Sequence, residues 1–373
     1  MTDTILCVDI GTSSLKAALL PDNLKKNEIF VSRQNFPENY ENSGKAATYW
    51  LPALKNALSE VQEKNPDYAI EAICVSGNGP TIVSDDGTTL LHNQICANFY
   101  HEQENEAVKK TKSLFIPRIF AFKNEFQQSW QNSKHIFGAA EFLIHALTDE
   151  AISILPEERF LPAYWTNSEL KNFKFSDSEI KKLPPFIKAG AFAGKISEKA
   201  AIETGLFEGT LVFAGAPDFV VALIGTGTVF PGRLCDRAGS TEGLNLCTTK
   251  PIFAEGLRTM PSAIPELWNL SYLMQNPNYK NSESKDYFAE LAHGISLLRE
   301  AANNNGEYFP DYMMITGGQA LNDALILQKE EMTGLKIEKM PTADAELLGD
   351  LILARVALGN YDDITEAVFA ILS

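Results

Sequence analysis

The start of the chain alternates short apolar runs with one helical stretch. Residues 5–8 and 15–20 are apolar and flank the turn-rich segment 11–14, which predicts a β-hairpin. Leucine and valine recur at helical spacing in residues 48–62, and Asn65-Pro66 ends that pattern. The predicted elements are, in order, strands at 5–8, 15–20 and 28–31, a helix at 48–62 and a strand at 70–75.

A second segment repeats this order. Two apolar runs, 233–235 and 244–247, flank a turn at 238–241, and residues 268–273 form a candidate third strand. Apolar residues at helical spacing between 288 and 302 predict a helix, which a strand at 312–316 follows. Two βββαβ units predict an α/β fold of two similar mixed-sheet domains that face one another, with a nucleotide in the cleft between them.

Secondary structure can be assigned to the C-terminal segment but not to the middle of the chain. A helix at 322–332, a strand from Leu335 and a helix at 344–358 predict an αβα tail, with Gly334 and Gly359 as helix ends. Residues 99–182 contain helical stretches and scattered aromatic residues without a motif. We interpret this middle segment as an insertion that covers the cleft.

Composition and charge narrow the class of protein. A chain of 373 residues predicts two domains, and 45% hydrophobic with 21% charged residues is typical of a soluble globular enzyme. Thirty-two basic against 48 acidic residues give a net charge of −16, which opposes binding to nucleic acid or anionic membranes. No apolar run reaches the length of a membrane span. We therefore expect neither a nucleic-acid nor a membrane partner.

Cysteine and histidine positions predict no disulfide framework or zinc site. The five cysteines form no close pair, which favours reduced thiols, and the N-terminus lacks the pattern of a signal peptide. The five histidines, His92 and His135 among them, lack metal-ligand spacing and are interpreted as surface or core residues. A cytoplasmic location follows, and the oligomeric state stays open, with a homodimer as one option.

Four short motifs carry candidate chemistry. They are, in chain order, Asp9-Ile10-Gly11-Thr12-Ser13-Ser14-Leu15-Lys16, Ala216-Pro217-Asp218, Ala238-Gly239-Ser240-Thr241 and Thr316-Gly317-Gly318-Gln319. The glycine, serine and threonine residues can offer backbone N–H and hydroxyl groups to phosphate oxygens. Phosphoryl transfer needs positioned phosphates, a metal ion and a base near the acceptor hydroxyl, so the order of the motifs indicates a kinase.

Each motif also has a plainer interpretation. Asp218, alone in a long apolar stretch after Gly215 and Pro217, has the local pattern of a helix N-cap. The turn at residues 238–241 and the glycine pair Gly317-Gly318 are common in α/β proteins. Residues 76–81, Ser-Gly-Asn-Gly-Pro-Thr, are consistent with a simple turn.

At these motifs the chain resembles the FGGY carbohydrate kinases, the sugar-kinase branch of the actin-like ATPase fold. The resemblance implies two ribonuclease H-like domains flanking a nucleotide cleft, at residues 1–230 and 231–373. It also implies ATP and Mg²⁺ as cofactors, with a small sugar or polyol as the acceptor of the γ-phosphate.

The resemblance assigns roles to individual residues. Asp218 would be the general base, Asp9 would hold the metal, and Asn78, Gly79 and Asp218 would bind the substrate. The nucleotide and its phosphates would be bound by Gly11, Thr12, Ser13, Ser14, Lys16, Gly239, Ser240, Thr241, Gly317, Gly318, Gln319 and Asn322.

Two differences from the family's sequence pattern leave other functions open. The segment Ala97-Asn98-Phe99-Tyr100-His101-Glu102 lacks the Asn-Asp-x-Arg or Arg-Glu element found in the sugar site of xylulose- and glycerol-type members, and the second half is shortened. The alternatives are a nucleotide- or sugar-binding sensor with little catalysis, and an actin-like or chaperone-type ATPase that responds to a protein partner. No particular sugar is predicted.

Overall fold

A computed structural model describes residues 2–24, 29–94, 110–239, 242–275 and 285–372. The chain forms two compact units, of which the first comprises residues 1–21 and 30–218 and the second residues 22–29 and 219–373. The division lies between Asp218 and Phe219, earlier than the predicted domain boundary at residue 230. In the described part of the chain, no helix is both long and apolar enough to cross a membrane.

The first unit is built on a six-stranded mixed sheet. Its strands lie in the order β10-β11-β4-β1-β2-β3, with β1 parallel to β4, β4 parallel to β11, and the other pairs antiparallel. The bounds are β1 Thr2–Ile10, β2 Ser14–Leu20, β3 Ser32–Asn35, β4 Tyr68–Gly77, β10 Phe192–Lys195 and β11 Leu211–Pro217. The sheet packs with α1 (Trp50–Lys64), α4 (Ala139–Thr148) and α7 (Glu198–Thr204) around one apolar core.

The predicted hairpin, helix and fourth strand of this unit are confirmed, but the third strand was placed wrongly. It runs over Ser32–Asn35, whereas the sequence pattern put it at 28–31. The strand is polar and lies at the edge of the described sheet, where it pairs with β2. An edge strand of this kind carries little of the apolar signal that marks a buried strand.

The middle of the chain adds small elements to the first unit. A three-stranded sheet is formed by β5 (Ile82–Ser84), β6 (Thr89–Leu90) and β7 (Ile136–Phe137), and β8 (Ser153–Leu155) pairs with β9 (Phe186–Lys188). The helices are α2 (Ile116–Glu125), α3 (Gln127–Asn132), α5 (Asn167–Asn172) and α6 (Asp177–Ile180). Aromatic residues of this region, including Phe122, Trp130 and Phe175, form a separate buried cluster.

The second unit repeats five strands of the first unit's sheet, and its sixth strand lies at the opposite edge. Its strands lie in the order β14-β15-β13-β12-β16-β17, with β12 parallel to β16 and β16 parallel to β17. The bounds are β12 Leu234–Ala238, β13 Glu242–Thr248, β14 Arg258–Pro261, β15 Trp268–Leu273, β16 Tyr312–Thr316 and β17 Lys336–Lys339. The helices are α8 (Asp218–Gly225), α9 (Lys285–Asn304), α10 (Asp323–Thr333), α11 (Ala345–Ala357) and α12 (Ile364–Leu372).

The repeated order confirms the duplicated βββαβ pattern predicted from the sequence. In both units the first strand lies between an antiparallel second strand and a parallel fourth strand, and the third strand pairs with the second. The strands β15 and β16 begin and end at the predicted residues. Each unit therefore places its hairpin turn at the same position of an equivalent sheet.

Helices α8 and α11 cross at two glycines. A Cβ atom on Gly225 would lie 1.9 Å from the carbonyl oxygen of Ala345, and one on Gly349 would lie 2.0 Å from that of Val221. Real Cβ atoms do not approach backbone oxygen so closely, so both glycines are needed for the two helix backbones to touch. The contact fixes the body of the helix that begins at Asp218.

We expect Gly349→Ala to destabilise the protein by about 2–3 kcal/mol, because the added methyl group forces two buried backbones apart. Urea unfolding of the variant and the wild-type chain measures the difference. Gly243→Ala in β13 is the matched control, since the nearest atom to its added Cβ would lie at 3.7 Å. Equal stability of the two variants would contradict the proposed helix contact.

Candidate functional site

Three parallel strands of the first unit end at one edge of its sheet. Ile10 of β1 pairs with Gly77 of β4, and Gly77 pairs with Pro217 of β11. Neighbouring strands are separated by about 4.8 Å, so Ile10 and Pro217 lie about 10 Å apart across the edge. The turn after β1 and the helix after β11 therefore leave the sheet side by side.

The turn between β1 and β2 holds the first predicted phosphate motif. The backbone N–H of Gly11 donates to the carbonyl oxygen of Ser14 at 3.0 Å, and Tyr40 donates its hydroxyl to the carbonyl oxygen of Thr12. Thr12 and Ser13 reach solvent, whereas Ser14 is buried and accepts from Arg33 at 3.5 Å. Of the three predicted hydroxyl residues, Thr12 and Ser13 are accessible to a phosphate.

Asp9 lies buried between two polar side chains of the neighbouring strands. It pairs with Lys16 across β2 and with Ser76 across β4. The Lys16 Nζ atom lies 3.4 Å from Asp9 Oδ2, and Ser76 Oγ lies 3.5 Å from Oδ1. The Lys16 ammonium group thus supplies the opposite charge that a buried carboxylate requires.

Asp218 follows Pro217 directly and lies in the first turn of α8. Its side chain is only partly buried, and its carboxylate is close enough to His92 to act on that imidazole. Burial lowers the pKa of His92, the Arg118 charge acts in the same direction, and the Asp218 carboxylate opposes both. His92 is therefore a neutral imidazole beside the predicted base.

His92 and Arg118 were missed as site residues by the sequence analysis. The backbone N–H of His92 donates to Thr81 Oγ1 at 3.1 Å, and Arg118 donates to the carbonyl oxygens of Leu91 and Gln94. Neither residue belongs to a motif, and 25 residues separate them in the chain. Only the folded first unit brings them to the neighbourhood of Asp218.

Asn78 is buried and its amide group is engaged within the first unit. Its Nδ2 atom donates to the carbonyl oxygen of Ile10 at 3.1 Å, and its Oδ1 atom accepts from Thr81 at 2.6 Å. The role of Asn78 and Gly79 as substrate contacts stays a prediction. Beside them is a small pocket lined by Gly77, Asn78, Gly79, Thr81, Phe115, Gly138, Ala139, Ala140, Glu141, Ile154, Tyr164, Ala216 and Pro217.

In the second unit, Gly317 brings the end of β16 against the end of β12. Its φ is +88°, and a Cβ atom there would lie 2.5 Å from the carbonyl oxygen of Ala238. A Cβ on Gly318 would meet nothing within 4 Å, so the backbone here is open on one side. This arrangement suits the predicted contact with a flat base.

The other nucleotide residues predicted in the second unit have different surroundings. Asn322 caps α10 by accepting from the backbone N–H of Leu325 at 3.1 Å, and Gly239 is exposed. The Gln319 side chain is buried and donates to Glu242 Oε2 at 2.6 Å. The predicted phosphate residues Ser240 and Thr241 lie outside the described residues.

A buried ionic network in the second unit connects the phosphate hairpin to the glycine pair. Lys329 Nζ lies 2.5 Å from Asp236 Oδ2 and 3.0 Å from Glu242 Oε1, and the side chains of all three residues are 0% exposed. Tyr287 donates to Glu242 at 2.6 Å, and Gln319 donates to the same carboxylate. The carboxylate of Glu242, on strand β13 of the hairpin, therefore binds both Lys329 and Gln319, the residue after Gly318.

The network shifts the protonation of its members. Burial, together with the Asp236 charge, raises the pKa of Glu242 from 4.5 to about 7. Burial acts against the charged form of Lys329, but the two carboxylates outweigh it and hold the pKa of the lysine above its usual value. The raised pKa of Lys329 favours its cationic form between the two acids.

Comparisons with known proteins agree with this geometry. Residues 4–225 match the family described as "FGGY family of carbohydrate kinases, N-terminal domain". A xylulose kinase of Staphylococcus epidermidis is 22% identical over 344 residues, which cover 83% of this chain and 68% of that protein.

Solved structures show the same fold. A ligand-bound xylulose kinase from Lactobacillus acidophilus superposes with a TM-score of 0.74 at 16% identity, over 98% of this chain and 91% of that chain. A gluconate kinase from Lactobacillus acidophilus gives 0.75 at 16% identity, over 98% and 92%. Plasmodium falciparum glycerol kinase with ADP gives 0.73 at 12% identity, over 99% and 92%. The predicted fold class, two ribonuclease H-like domains of the actin-like ATPase type, is confirmed.

Proposed function

This chain belongs to the FGGY family of carbohydrate kinases, and we propose that it transfers the γ-phosphate of ATP to a hydroxyl of a small sugar or polyol with Asp218 as the general base. One observation carries the proposal. The strand register puts Asp218 and the Gly11 turn at the same edge of one sheet, on either side of Gly77. An acceptor hydroxyl beside Asp218 would then be within reach of a phosphate bound at the turn.

The chemical step follows from these positions. Asp218 accepts the proton of the sugar hydroxyl while its oxygen forms a bond to the γ-phosphorus, and the bond from that phosphorus to the β-phosphate oxygen breaks to release ADP. His92, whose pKa burial lowers, stays neutral beside Asp218 and does not neutralise the carboxylate as a cation would.

The first unit also offers groups for the phosphates and for Mg²⁺. Gly11, Thr12 and Ser13 present backbone N–H and hydroxyl donors, and Lys16 contributes a positive charge next to Asp9. The Asp9 carboxylate is a hard oxygen ligand of the kind Mg²⁺ prefers and would hold the ion. When bound, the ion would neutralise charge on the β- and γ-phosphates.

For the second unit we propose the nucleotide-binding part of the activity. The open backbone at Gly317 and Gly318 would hold the adenosine, with Gln319 and Asn322 fixing the segment through their contacts inside the unit. Gly239, Ser240 and Thr241 stay the predicted second phosphate motif. A cytoplasmic location and a homodimer also stay predictions of the sequence.

A panel of acceptors tests the function. The purified chain is incubated with Mg²⁺-ATP and with xylulose, gluconate, glycerol and further pentoses and polyols, and ADP release is followed. We expect one acceptor to accelerate ADP release well above the rate without sugar. Sugar binding without turnover would instead favour the sensor. Hydrolysis of ATP that does not depend on sugar would favour an ATPase that responds to a protein partner.

A further inference from the structure

Three side chains that the proposed kinase chemistry does not use meet in the first unit. They are Asp85, His135 and His145, and each offers one ligand atom such that all three atoms lie within 4.8 Å of one another. Asp85 follows β5, His135 precedes β7, and His145 lies on α4. Because they lie 50 and 10 positions apart in the chain, their spacing gave no sign of a shared site.

The Asp85 carboxylate is fixed by the backbone next to His135. Its Oδ2 atom accepts from the N–H groups of Lys134 at 2.5 Å and of His135 at 2.9 Å. Its Oδ1 atom lies 3.5 Å from His135 Nδ1. This separation is longer than usual for a hydrogen bond but close to the distance of about 3.3 Å between two ligands of a tetrahedral ion with bonds of about 2.0 Å.

His145 is held in the tautomer that a metal ligand needs. Its Nδ1 atom lies 3.0 Å from the carbonyl oxygen of Glu150, and because a carbonyl only accepts, Nδ1 carries the hydrogen. The lone pair is then on Nε2. The ring is further fixed by stacking on Phe137, with centroids 4.8 Å apart. An imidazole oriented by a backbone carbonyl is the usual outer-shell arrangement of a metal-bound histidine.

We propose that Asp85, His135 and His145 bind a divalent first-row transition-metal ion of the Zn²⁺ type. Two imidazole nitrogens and one carboxylate oxygen suit Zn²⁺, whereas Mg²⁺ requires oxygen ligands. All three side chains are in part accessible to solvent, so water can supply the fourth ligand. Small rotations of the side chains close the remaining gap between the ligand atoms.

The bound ion would tie the turn after β5 to α4. The first residues of α4 pack on the end of β4, where a Cβ atom on Gly77 would lie 3.2 Å from the backbone nitrogen of Ala140. The metal would therefore stabilise the helix that lines the pocket beside Asn78. This role is structural and independent of phosphoryl transfer.

Titration of the tag-free, chelator-treated full chain with ZnCl₂ tests the site. We expect isothermal titration calorimetry to give one saturable ion per chain, and the thermal midpoint to rise by about 5 °C once the ion is in about 100-fold excess over its Kd. Co²⁺ in place of Zn²⁺ should give the visible absorption of a tetrahedral site. These readouts need neither ATP nor sugar, so they stand apart from the proposed kinase activity.

Variants decide whether these three residues are the ligands. His145→Gln and Asp85→Asn should each weaken Zn²⁺ binding by at least about 10-fold, and circular dichroism in chelator checks that both fold. His293→Ala, which removes an exposed histidine of the second unit, should bind as the wild type does. The proposal is overturned if Zn²⁺ does not saturate the wild-type chain, or if it binds the ligand variants as tightly.

Discussion

Asp218→Asn is expected to lower sugar-dependent ADP formation by about 10²–10⁴-fold, the usual contribution of a positioned general base. Asparagine keeps the size of the side chain but cannot take the proton from the attacking hydroxyl. The affinity for ATP should stay near that of the wild type, because the predicted nucleotide contacts lie on other residues. Steady-state kinetics with the best acceptor, together with calorimetric ATP binding, separates the two effects.

Two further variants make this result specific. Asp177→Asn changes an exposed carboxylate that forms a surface ion pair with Lys171 at 3.0 Å, so the turnover of this variant should be unaltered. His92→Gln removes the neutral imidazole near Asp218 and should reduce turnover far less than Asp218→Asn does. If Asp218→Asn retained full turnover while His92→Gln lost it, the base would be His92 and the assignment of Asp218 would be wrong.

The hairpin turns of this chain and the turns at its glycine motifs could be predicted, because they depend on residues that are neighbours in the sequence. A turn that needs glycine and hydroxyl residues between two apolar strands is visible in the sequence, as at residues 11–14. The repeat of the βββαβ order then gave the fold, since equivalent elements recur at equivalent positions. The position of the polar strand β3 was not predicted, because its pairing with β2, and not an apolar pattern, makes it a strand.

The parts of the site that were missed depend on contacts distant in sequence. Lys329 lies in the run Gln328-Lys329-Glu330-Glu331, which has the polarity of a solvent-facing helix, yet the fold buries it completely. Its partners Asp236 and Glu242 come from the β12–β13 hairpin, more than 80 residues earlier. Gln319 is predicted to contact the nucleotide because of its motif, but nothing in the sequence indicates that its side chain donates to Glu242. Periodicity along one helix does not contain such information.

Asp218, the proposed base, is also a residue of the first turn of α8. Its helix is locked by Gly225 and Gly349 within the second unit, while β11, which leads into it, lies in the sheet of the first. The helix that begins at Asp218 is thus held by packing beyond its first turn. A residue that acts only as an N-cap depends on the first turn of its helix alone. The further packing of α8 therefore favours a side chain held in a fixed position, as the proposed base requires.

Lys329→Met is expected to destabilise the second unit by about 3–5 kcal/mol, because it leaves Asp236 and Glu242 buried without a cation. Methionine fills a similar volume, so the loss reports the charge and not a cavity. Hydrogen exchange of peptides from β12 and β13 should accelerate, while peptides from β1 and β4 serve as an internal reference. Affinity for ATP should fall as well, since the same carboxylate holds Gln319 next to the glycine pair.

The pH dependence distinguishes this electrostatic cause from a packing defect. The pKa of Glu242 is raised by burial to about 7 in the folded chain, from 4.5 otherwise, so the protonated form is favoured by folding and its contribution to stability is lost as the pH rises through about 7. Without Lys329 the charged carboxylate is costlier still. The destabilisation by Lys329→Met should therefore be smaller at pH 5 than at pH 8.

A matched surface variant completes the test of the network. Lys336→Met removes an exposed lysine of the same unit, whose only ionic contact among the described residues is Glu338 at 3.2 Å, and should change stability by no more than about 0.5 kcal/mol at either pH. If Lys329→Met were as mild as this control, the buried acids would not depend on the lysine. If its effect were large but equal at pH 5 and pH 8, lost packing and not an unpaired carboxylate would explain it, and the network would have no electrostatic role in holding the phosphate hairpin.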